Sequence, residues 1–164
     1  MASILNVPAR RRLSAILAAG LLSTAIASSA SAATTPVSIK ISSADLTARI
    51  LVTVGVDFVC QPLVSAIDGS PVTSALLGLA VSVDQANGRT IAHAAGGDTM
   101  PSTDLVTCDG STLNHRTMSL LSSTVPFHGG TAIATVMLNV DDPACSFCGS
   151  SEFGRTTSTV KLTG

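Results

Sequence analysis

The chain has few aromatic and few charged residues. It contains no Trp, no Tyr and only four Phe, and 12% of its residues are charged. Sugar-binding clefts usually stack their ligand on aromatic rings, and glycoside hydrolysis needs two carboxylates within such a cleft. The composition therefore argues against a glycosidase and against a carbohydrate-binding module.

The sequence also lacks the short motifs that carry catalysis in common enzyme folds. No Gly-x-Ser-x-Gly elbow, phosphate-binding loop, dinucleotide fingerprint or His-Glu-x-x-His pair occurs. The histidines, His93, His115 and His128, are not at metal-ligating spacings, and we interpret each as a solvated or hydrogen-bonded structural residue. We therefore predict a protein that is not an enzyme and that has no catalytic residues, no cofactor and no metal.

The N-terminal segment has the three parts of a secretory signal peptide. Arg10 to Arg12 form a basic region, Leu13 to Ala27 form an apolar run, and Ala30-Ser31-Ala32 has the small-x-small form of a cleavage site. The apolar run is too short to span a membrane. We predict that residues 1–32 are a signal peptide cleaved near Ala32. The mature chain, residues 33–164, is then secreted and has no membrane span.

Cleavage at this site changes the charge of the protein. Three of the nine Lys+Arg residues lie in the signal peptide, so six remain against ten Asp+Glu, and the mature chain carries a net charge of −4. An acidic chain is a poor partner for nucleic acid and for anionic lipid. We expect the partner to be an unknown protein or a cell-envelope ligand.

From Lys40 onward the hydrophobic pattern has a period of two rather than the helical period. In the clearest stretch, Ile50 to Cys60, apolar residues alternate with Thr53, Gly55 and Asp57, which is typical of a strand with one buried face. Asn87-Gly88 and Asp109-Gly110 are turn signals between such stretches. The pattern predicts seven to eight strands, at residues 37–41, 50–60, 77–83, 89–93, 105–108, 117–122, 131–141 and 155–163.

Many strands joined by turns predict an all-β fold. An antiparallel immunoglobulin-like β-sandwich over residues 33–164 fits this pattern best. A closed β-barrel is the alternative.

The four cysteines are even in number, which in an exported protein predicts two disulfides. Cys60 and Cys108 each end a predicted strand, so we pair them across the sheets. Cys145 and Cys148 are then left to pair with each other, as a staple in a loop. Two alternatives for these cysteines are a redox dithiol at Cys145 and Cys148 and a four-cysteine zinc site.

The stapled loop, residues 142–154, is the predicted binding surface. Phe147 and Phe153 are aromatic residues that can anchor a partner on a rigid loop, and Asp142 lies at its start. The same loop supports an alternative, a protease inhibitor that presents it as a substrate mimic. A calcium site at Asp141, Asp142 and Glu152 is a further alternative, since carboxylates supply oxygen ligands.

Several of these features occur together in one known group of proteins. The signal peptide, the strand ending in Cys60, Val106-Thr107-Cys108-Asp109-Gly110 and the turn at Phe127 to Gly130 are the features concerned. In them the chain resembles uncharacterised small secreted immunoglobulin-like proteins of Gram-positive, actinobacterial-type bacteria. The resemblance implies an extracellular β-sandwich and transfers no catalytic residue.

Taken together, these patterns predict a secreted, non-enzymatic β-sandwich. It would act as an extracellular binding module or as an envelope-associated interaction module. The protease inhibitor and the thiol–disulfide redox protein that uses Cys145 and Cys148 are the alternatives.

Overall fold

The computed structural model describes residues 37–100, 102–145 and 151–164, and for residues 151 and 152 the backbone alone. All of them belong to one unit, Ala33–Gly164, and the predicted signal peptide lies outside them. They form ten β-strands and no helix: β1 Ser38–Thr47, β2 Leu51–Val59, β3 Leu63–Val64, β4 Pro71–Val72, β5 Ser74–Asn87, β6 Thr90–Asp98, β7 Leu105–Thr107, β8 Asn114–Leu121, β9 Gly130–Asp141 and β10 Ser151–Leu162.

The predicted all-β fold is confirmed. Eight of the ten strands lie at the predicted positions, and the two additional ones, β3 and β4, have two residues each. These two strands pair only with each other. A two-residue strand has no visible alternation, so no periodic pattern marks it in the sequence. Within the described residues, no helix has the length and apolar character that a membrane crossing requires.

A three-stranded antiparallel sheet has the strand order β1-β2-β8. Its central strand, β2, carries the alternation seen in the sequence. The side chains of Val52, Val54 and Val56 are fully buried, and Phe58 is 1% exposed. This burial follows from the side-chain period of two, which places every second residue on the same face of the sheet.

A five-stranded antiparallel sheet has the order β10-β9-β5-β6, and β7 pairs with the other end of β5. The hairpin between β5 and β6 turns at Gly88 and Arg89, directly between the paired residues Asn87 and Thr90. Gly88 has a φ of 62°, and a two-residue turn with positive φ at its first position favours glycine. The Asn87-Gly88 turn signal is therefore confirmed.

The inward faces of the two sheets share one hydrophobic core. It is built mainly from Val, Leu and Ala, and its largest fully buried side chains are Phe58 and Phe127. Isolated bridges bring the sheet edges together at two points, Asp45 with Thr163 and Ala94 with Ser122. Among the residues that the structure describes, no sheet closes on itself. The alternative of a closed barrel is therefore wrong.

The disulfide Cys60–Cys108 joins strand ends from different sheets. Cys60 directly follows β2, and Cys108 directly follows β7, which belongs to the five-stranded sheet. The sulfur atoms are bonded and the Cα atoms are 4.6 Å apart, which a disulfide permits. This predicted pair is confirmed. The second predicted disulfide includes Cys148, which lies outside the described residues; Cys145 itself is not a free cysteine.

The turn after Cys108 holds a strongly hydrogen-bonded carboxylate. The Thr112 hydroxyl donates to Asp109 Oδ2 over 2.7 Å, and the N–H groups of Thr112 and Ser111 donate to Oδ1. These bonds, first among them that of the Thr112 hydroxyl, hold the pKa of Asp109 well below its usual value. They favour the charged carboxylate in the folded state.

We expect Thr112→Val to lower the melting temperature most where the unfolded aspartate is ionised. Because the folded-state pKa of Asp109 is depressed, its bonds stabilise the fold above about pH 4, and this contribution is lost as the pH falls below that value. Asp109 is exposed and water screens its bonds, so we expect a decrease of a few degrees at most.

Thermal melts of both proteins at about pH 6 and about pH 2 measure this difference. The pKa of Asp68 is lowered and that of Asp141 is raised. Because both shifts occur in the wild type and in the variant, they cancel in the difference between the two melting temperatures. An equal difference at both pH values would contradict the assignment.

Candidate functional site

The predicted binding loop lies only partly within the described residues. Phe147 and Cys148 lie outside them. Phe153 is 55% exposed, on β10 opposite Asn139. Asp142, by contrast, is 1% exposed. The structure thus leaves Phe153 exposed to solvent and places the side chain of Asp142 in the interior.

Asp142 is an unusual interior residue. Its Oδ1 accepts a hydrogen bond from the Ala144 N–H over 2.8 Å, but its buried Oδ2 has no hydrogen-bond partner within the described residues. The neighbouring Asp141 belongs to the other face, where the Asn139 side-chain amide donates to its Oδ2 over 2.8 Å. Burial raises the pKa of Asp141.

The two aspartates therefore do not present their carboxylates to one point. The side chain of Glu152, the third predicted calcium ligand, lies outside the described ones. Within the part of the chain that the structure describes, no three His, Cys, Asp or Glu side chains form a group that could hold a metal ion.

His93 and Asp84 face each other across the β5–β6 hairpin. His93 Nδ1 lies 2.7 Å from Asp84 Oδ1. The two-residue turn between Asn87 and Thr90 sets this register, because each step away from the turn advances both strands by one residue. The turn signal in the sequence predicts the hairpin, but the register that places these two side chains opposite each other comes from the structure, because the central turn residues are Gly88 and Arg89.

A second pair, Asp57 and His115, lies on the outer face of the three-stranded sheet. His115 Nδ1 lies 2.5 Å from Asp57 Oδ1, and His115 Nε2 lies 3.2 Å from the Thr117 hydroxyl. Carboxylate, imidazole and hydroxyl follow the order found in nucleophilic hydrolases. The His115 side chain is, however, 58% exposed, so water competes for each of these bonds. Exposure of this degree is typical of a hydrogen-bonded surface residue.

A cleft of about 260 Å³ opens where the edges of the two sheets separate. We call it the β6–β8 cleft. Its walls come from β5, the end of β6, the segment after β6, and β8, and its lining residues are Leu77, Leu79, Gly97, Asp98, Met100, Ser102, Asp104, Arg116, Thr117 and Met118.

Gly97 determines how closely the end of β6 approaches the neighbouring residues. Its φ is 85°, and a Cβ atom at this position would lie 2.0 Å from the Leu79 carbonyl oxygen and 2.8 Å from Met118 Cε. No side chain fits in that space, and L-residues rarely adopt this φ. The wall of the cleft therefore depends on glycine at this position.

Arg116 is the cationic residue of the cleft. Its Nη1 donates to the His115 carbonyl oxygen over 2.9 Å, and its Nη2 to the Leu105 carbonyl oxygen over 3.3 Å. Among the described residues it forms no ion pair, although Asp98 and Asp104 also line the cleft. A guanidinium has five N–H donors, so three of them remain available. This arrangement holds a planar donor group in place for an anionic ligand.

The sequence by itself does not indicate this cleft. Its residues come from four separate segments between Leu77 and Met118, and none of them forms a short motif. The Gly96-Gly97 pair, which lies beyond the predicted strand 89–93 but within β6, was the available signal, because glycine within a strand often marks a close approach. The two glycines do not, however, identify the segment that lies close to them.

No protein-family model and no curated protein matches the chain. Among solved structures it is similar to the sporulation control protein Spo0M from Bacillus subtilis, with a TM-score of 0.36 and 9% sequence identity over 79% of this chain. The match covers 49% of the Spo0M chain, so this chain spans about half the length of that protein. A likeness at this TM-score carries no argument about fold or function.

Proposed function

We propose that the protein is a secreted immunoglobulin-like β-sandwich that acts by binding a ligand rather than by catalysis. The basic and apolar regions of residues 1–32 and the small-x-small site at Ala30 to Ala32 support export. The antiparallel sheets with a shared core and the disulfide Cys60–Cys108 support the sandwich. The ligand is an extracellular one, from a protein or from the cell envelope.

The observation that carries this proposal is the position of Arg116 in the β6–β8 cleft. Two carbonyl oxygens hold its guanidinium, and no carboxylate within the described residues pairs with it. In the unbound protein, water satisfies the remaining donors of Arg116. A ligand carboxylate that replaces this water makes a charge-assisted bidentate bond, which adds binding energy and geometric selectivity.

The other lining residues define the rest of the ligand. Leu77, Leu79 and Met118 provide apolar surface, and the carboxylates of Asp98 and Asp104 are acceptors for N–H groups of a ligand. A ligand with a carboxylate, an apolar body and an adjacent N–H group matches the guanidinium, the apolar surface and the two carboxylates of the cleft. An acylated amino acid is the smallest molecule with this chemistry.

We expect Arg116→Gln to weaken the binding of N-acetyl-leucine by about tenfold or more, since a hydrogen bond to a charged group contributes about 1.5–3 kcal/mol. Titration by NMR, following the backbone amides of Gly97 and Met118, measures the affinity. N-acetyl-leucinamide, which lacks the carboxylate, should bind no better to the wild type than the acid binds to the variant. Arg155→Gln, on the outer face of β10, is the matched control and should leave binding unchanged.

Two results would contradict the proposal. One is equal binding of the acid and the amide by the wild type. The other is hydrolysis of p-nitrophenyl acetate that disappears in His115→Ala, because it would assign a catalytic role to the Asp57–His115–Thr117 group. Unchanged melting temperatures show that the variants remain folded.

A further inference from the structure

We infer that the β6–β8 cleft binds the carboxyl-terminal segment of an extended peptide, which pairs with β8 as an added strand. This inference rests on the proposed function, because it places the ligand carboxylate at Arg116. It goes further by naming the ligand class, a peptide, and the backbone groups that recognise it.

The hydrogen bonds of the three-stranded sheet show which backbone groups of β8 have no partner among the described residues. The Ser122 N–H donates to the Ile50 carbonyl oxygen over 2.8 Å, and these residues continue the β2–β8 register. In an antiparallel pair, hydrogen-bonded and non-hydrogen-bonded residue pairs alternate. Even-numbered residues of β8 therefore bond to β2. Thr117 and Ser119 direct their N–H and carbonyl groups away from β2.

At the carboxyl end of β8, the edges of β8 and β6 are hydrogen-bonded to each other. The Ser123 N–H donates to the His93 carbonyl oxygen over 2.8 Å, and the Thr124 hydroxyl to the Ile91 carbonyl oxygen over 2.9 Å. The bridge between Ala94 and Ser122 lies beside them. The edges of β6 and β8 are thus fastened at this end and separate towards the cleft.

The unpaired groups and the cleft occupy the same stretch of β8. Thr117 lines the cleft together with Arg116 and Met118. An exposed strand edge with unpaired groups is a template for another strand, and an extended peptide binds such an edge through main-chain hydrogen bonds. Neighbouring pockets then select its side chains, here the apolar surface of Leu79 and Met118.

The position of Arg116 gives the direction of the peptide. It lies near the amino end of β8, which begins at Asn114. A peptide antiparallel to β8 brings its carboxyl end to this point, whereas a parallel peptide brings an ammonium group beside the guanidinium. At about 3.3 Å per residue, the stretch from Ser119 to Arg116 accommodates the last three or four residues. The penultimate residue then pairs with Thr117.

The probe that tests this pairing is N-acetyl-Ala-Val-Leu, compared with N-acetyl-leucine in the same NMR titration. We expect the tripeptide to bind about tenfold tighter or more, because two main-chain hydrogen bonds are added. N-methylation of its valine removes the bond to the Thr117 carbonyl oxygen and should abolish most of this gain. C-terminal amidation should weaken binding as Arg116→Gln does.

The matched variants are Thr117→Pro and Thr117→Val. Both remove the hydroxyl that contacts His115, but only proline removes the N–H group. Proline is tolerated on an edge strand where the N–H does not bond to the neighbouring strand. We expect Thr117→Pro to weaken the binding of both acids, because the Thr117 N–H bonds the carbonyl group before the terminal residue in each, and Thr117→Val to leave both affinities unchanged. The N-methylated probe tests the same edge in the wild type and does not depend on the folding of either variant.

The outcomes separate this inference from the proposed function. If N-acetyl-leucine binds in an Arg116-dependent manner but the tripeptide binds no tighter, strand addition is wrong and the proposed function stands. If neither acid binds, both fail. If light scattering shows a dimer that Thr117→Pro dissociates, the edge of β8 pairs with a second copy, and the inference is overturned.

Discussion

Replacing both Cys60 and Cys108 by alanine is expected to lower the free energy of unfolding by about 3–4 kcal/mol and the melting temperature by roughly 10–20 °C. The bond links residues separated by 48 positions and connects strand ends from the two sheets. Both cysteines are buried. In the chain-entropy account, the reduced chain gains the most freedom when the closed loop is long.

Urea denaturation of the oxidised wild type and the double variant measures this loss. The matched control replaces Cys145 and Cys148, whose predicted bond closes a very short loop and whose removal should cost about 1–2 kcal/mol. If the first double variant lost no more stability than the second, loop length would not explain the contribution of the Cys60–Cys108 bond.

Phe127→Ala is expected to cost about 3–5 kcal/mol, the range for a buried phenylalanine truncated to alanine. Phe127 is fully buried although it lies between β8 and β9. Its N–H donates to the Arg49 carbonyl oxygen over 2.7 Å. The side chain of the buried Gln85 bonds both backbone groups of the next residue, His128, at 2.9 Å. Because the backbone is held on both sides, the cavity cannot collapse.

Phe153→Ala is the matched control for this prediction. Phe153 is 55% exposed, and surface substitutions usually change stability by no more than about 0.5 kcal/mol. Urea denaturation of both variants gives the comparison. Similar losses in the two variants would mean that Phe127 does not carry the packing that its burial indicates.

The strands of this protein could be predicted because the alternation of apolar and polar residues in each one reflects which of its side chains are buried. In β2 the inward positions from Val52 to Phe58 are apolar and the outward positions include Thr53 and Asp57. Side chains alternate between two environments, so the period of two appears in the sequence. The Asn87-Gly88 turn signal gave the β5–β6 hairpin for a similarly local reason, the positive φ of its glycine.

The disulfide Cys60–Cys108 was predictable for a related reason. Each cysteine follows the inward face of its own strand, as Cys60 does after Phe58 and Cys108 after Val106. Two inward cysteines at strand ends meet when the sheets share a core. This pairing follows from the phase of each strand alone and does not depend on which strands are neighbours.

The candidate site depends on neighbours that are distant in sequence. Asp57 meets His115 only because β2 pairs with β8, across 58 positions. Arg116 reaches the cleft because β8 is an edge strand beside the end of β6. Nothing in the local pattern of either segment states this pairing. Asp142 is likewise buried although its polarity, taken alone, favours a position in an exposed loop.

The sequence alone determined the all-β class, most strand positions, one hairpin and one disulfide, because these follow from alternation and turn signals within short segments. The tertiary structure alone decided the strand order, the unpaired edge of β8 and the cleft that contains Arg116. Those features arise from the packing of two sheets against each other, and the register between remote strands sets which side chains meet.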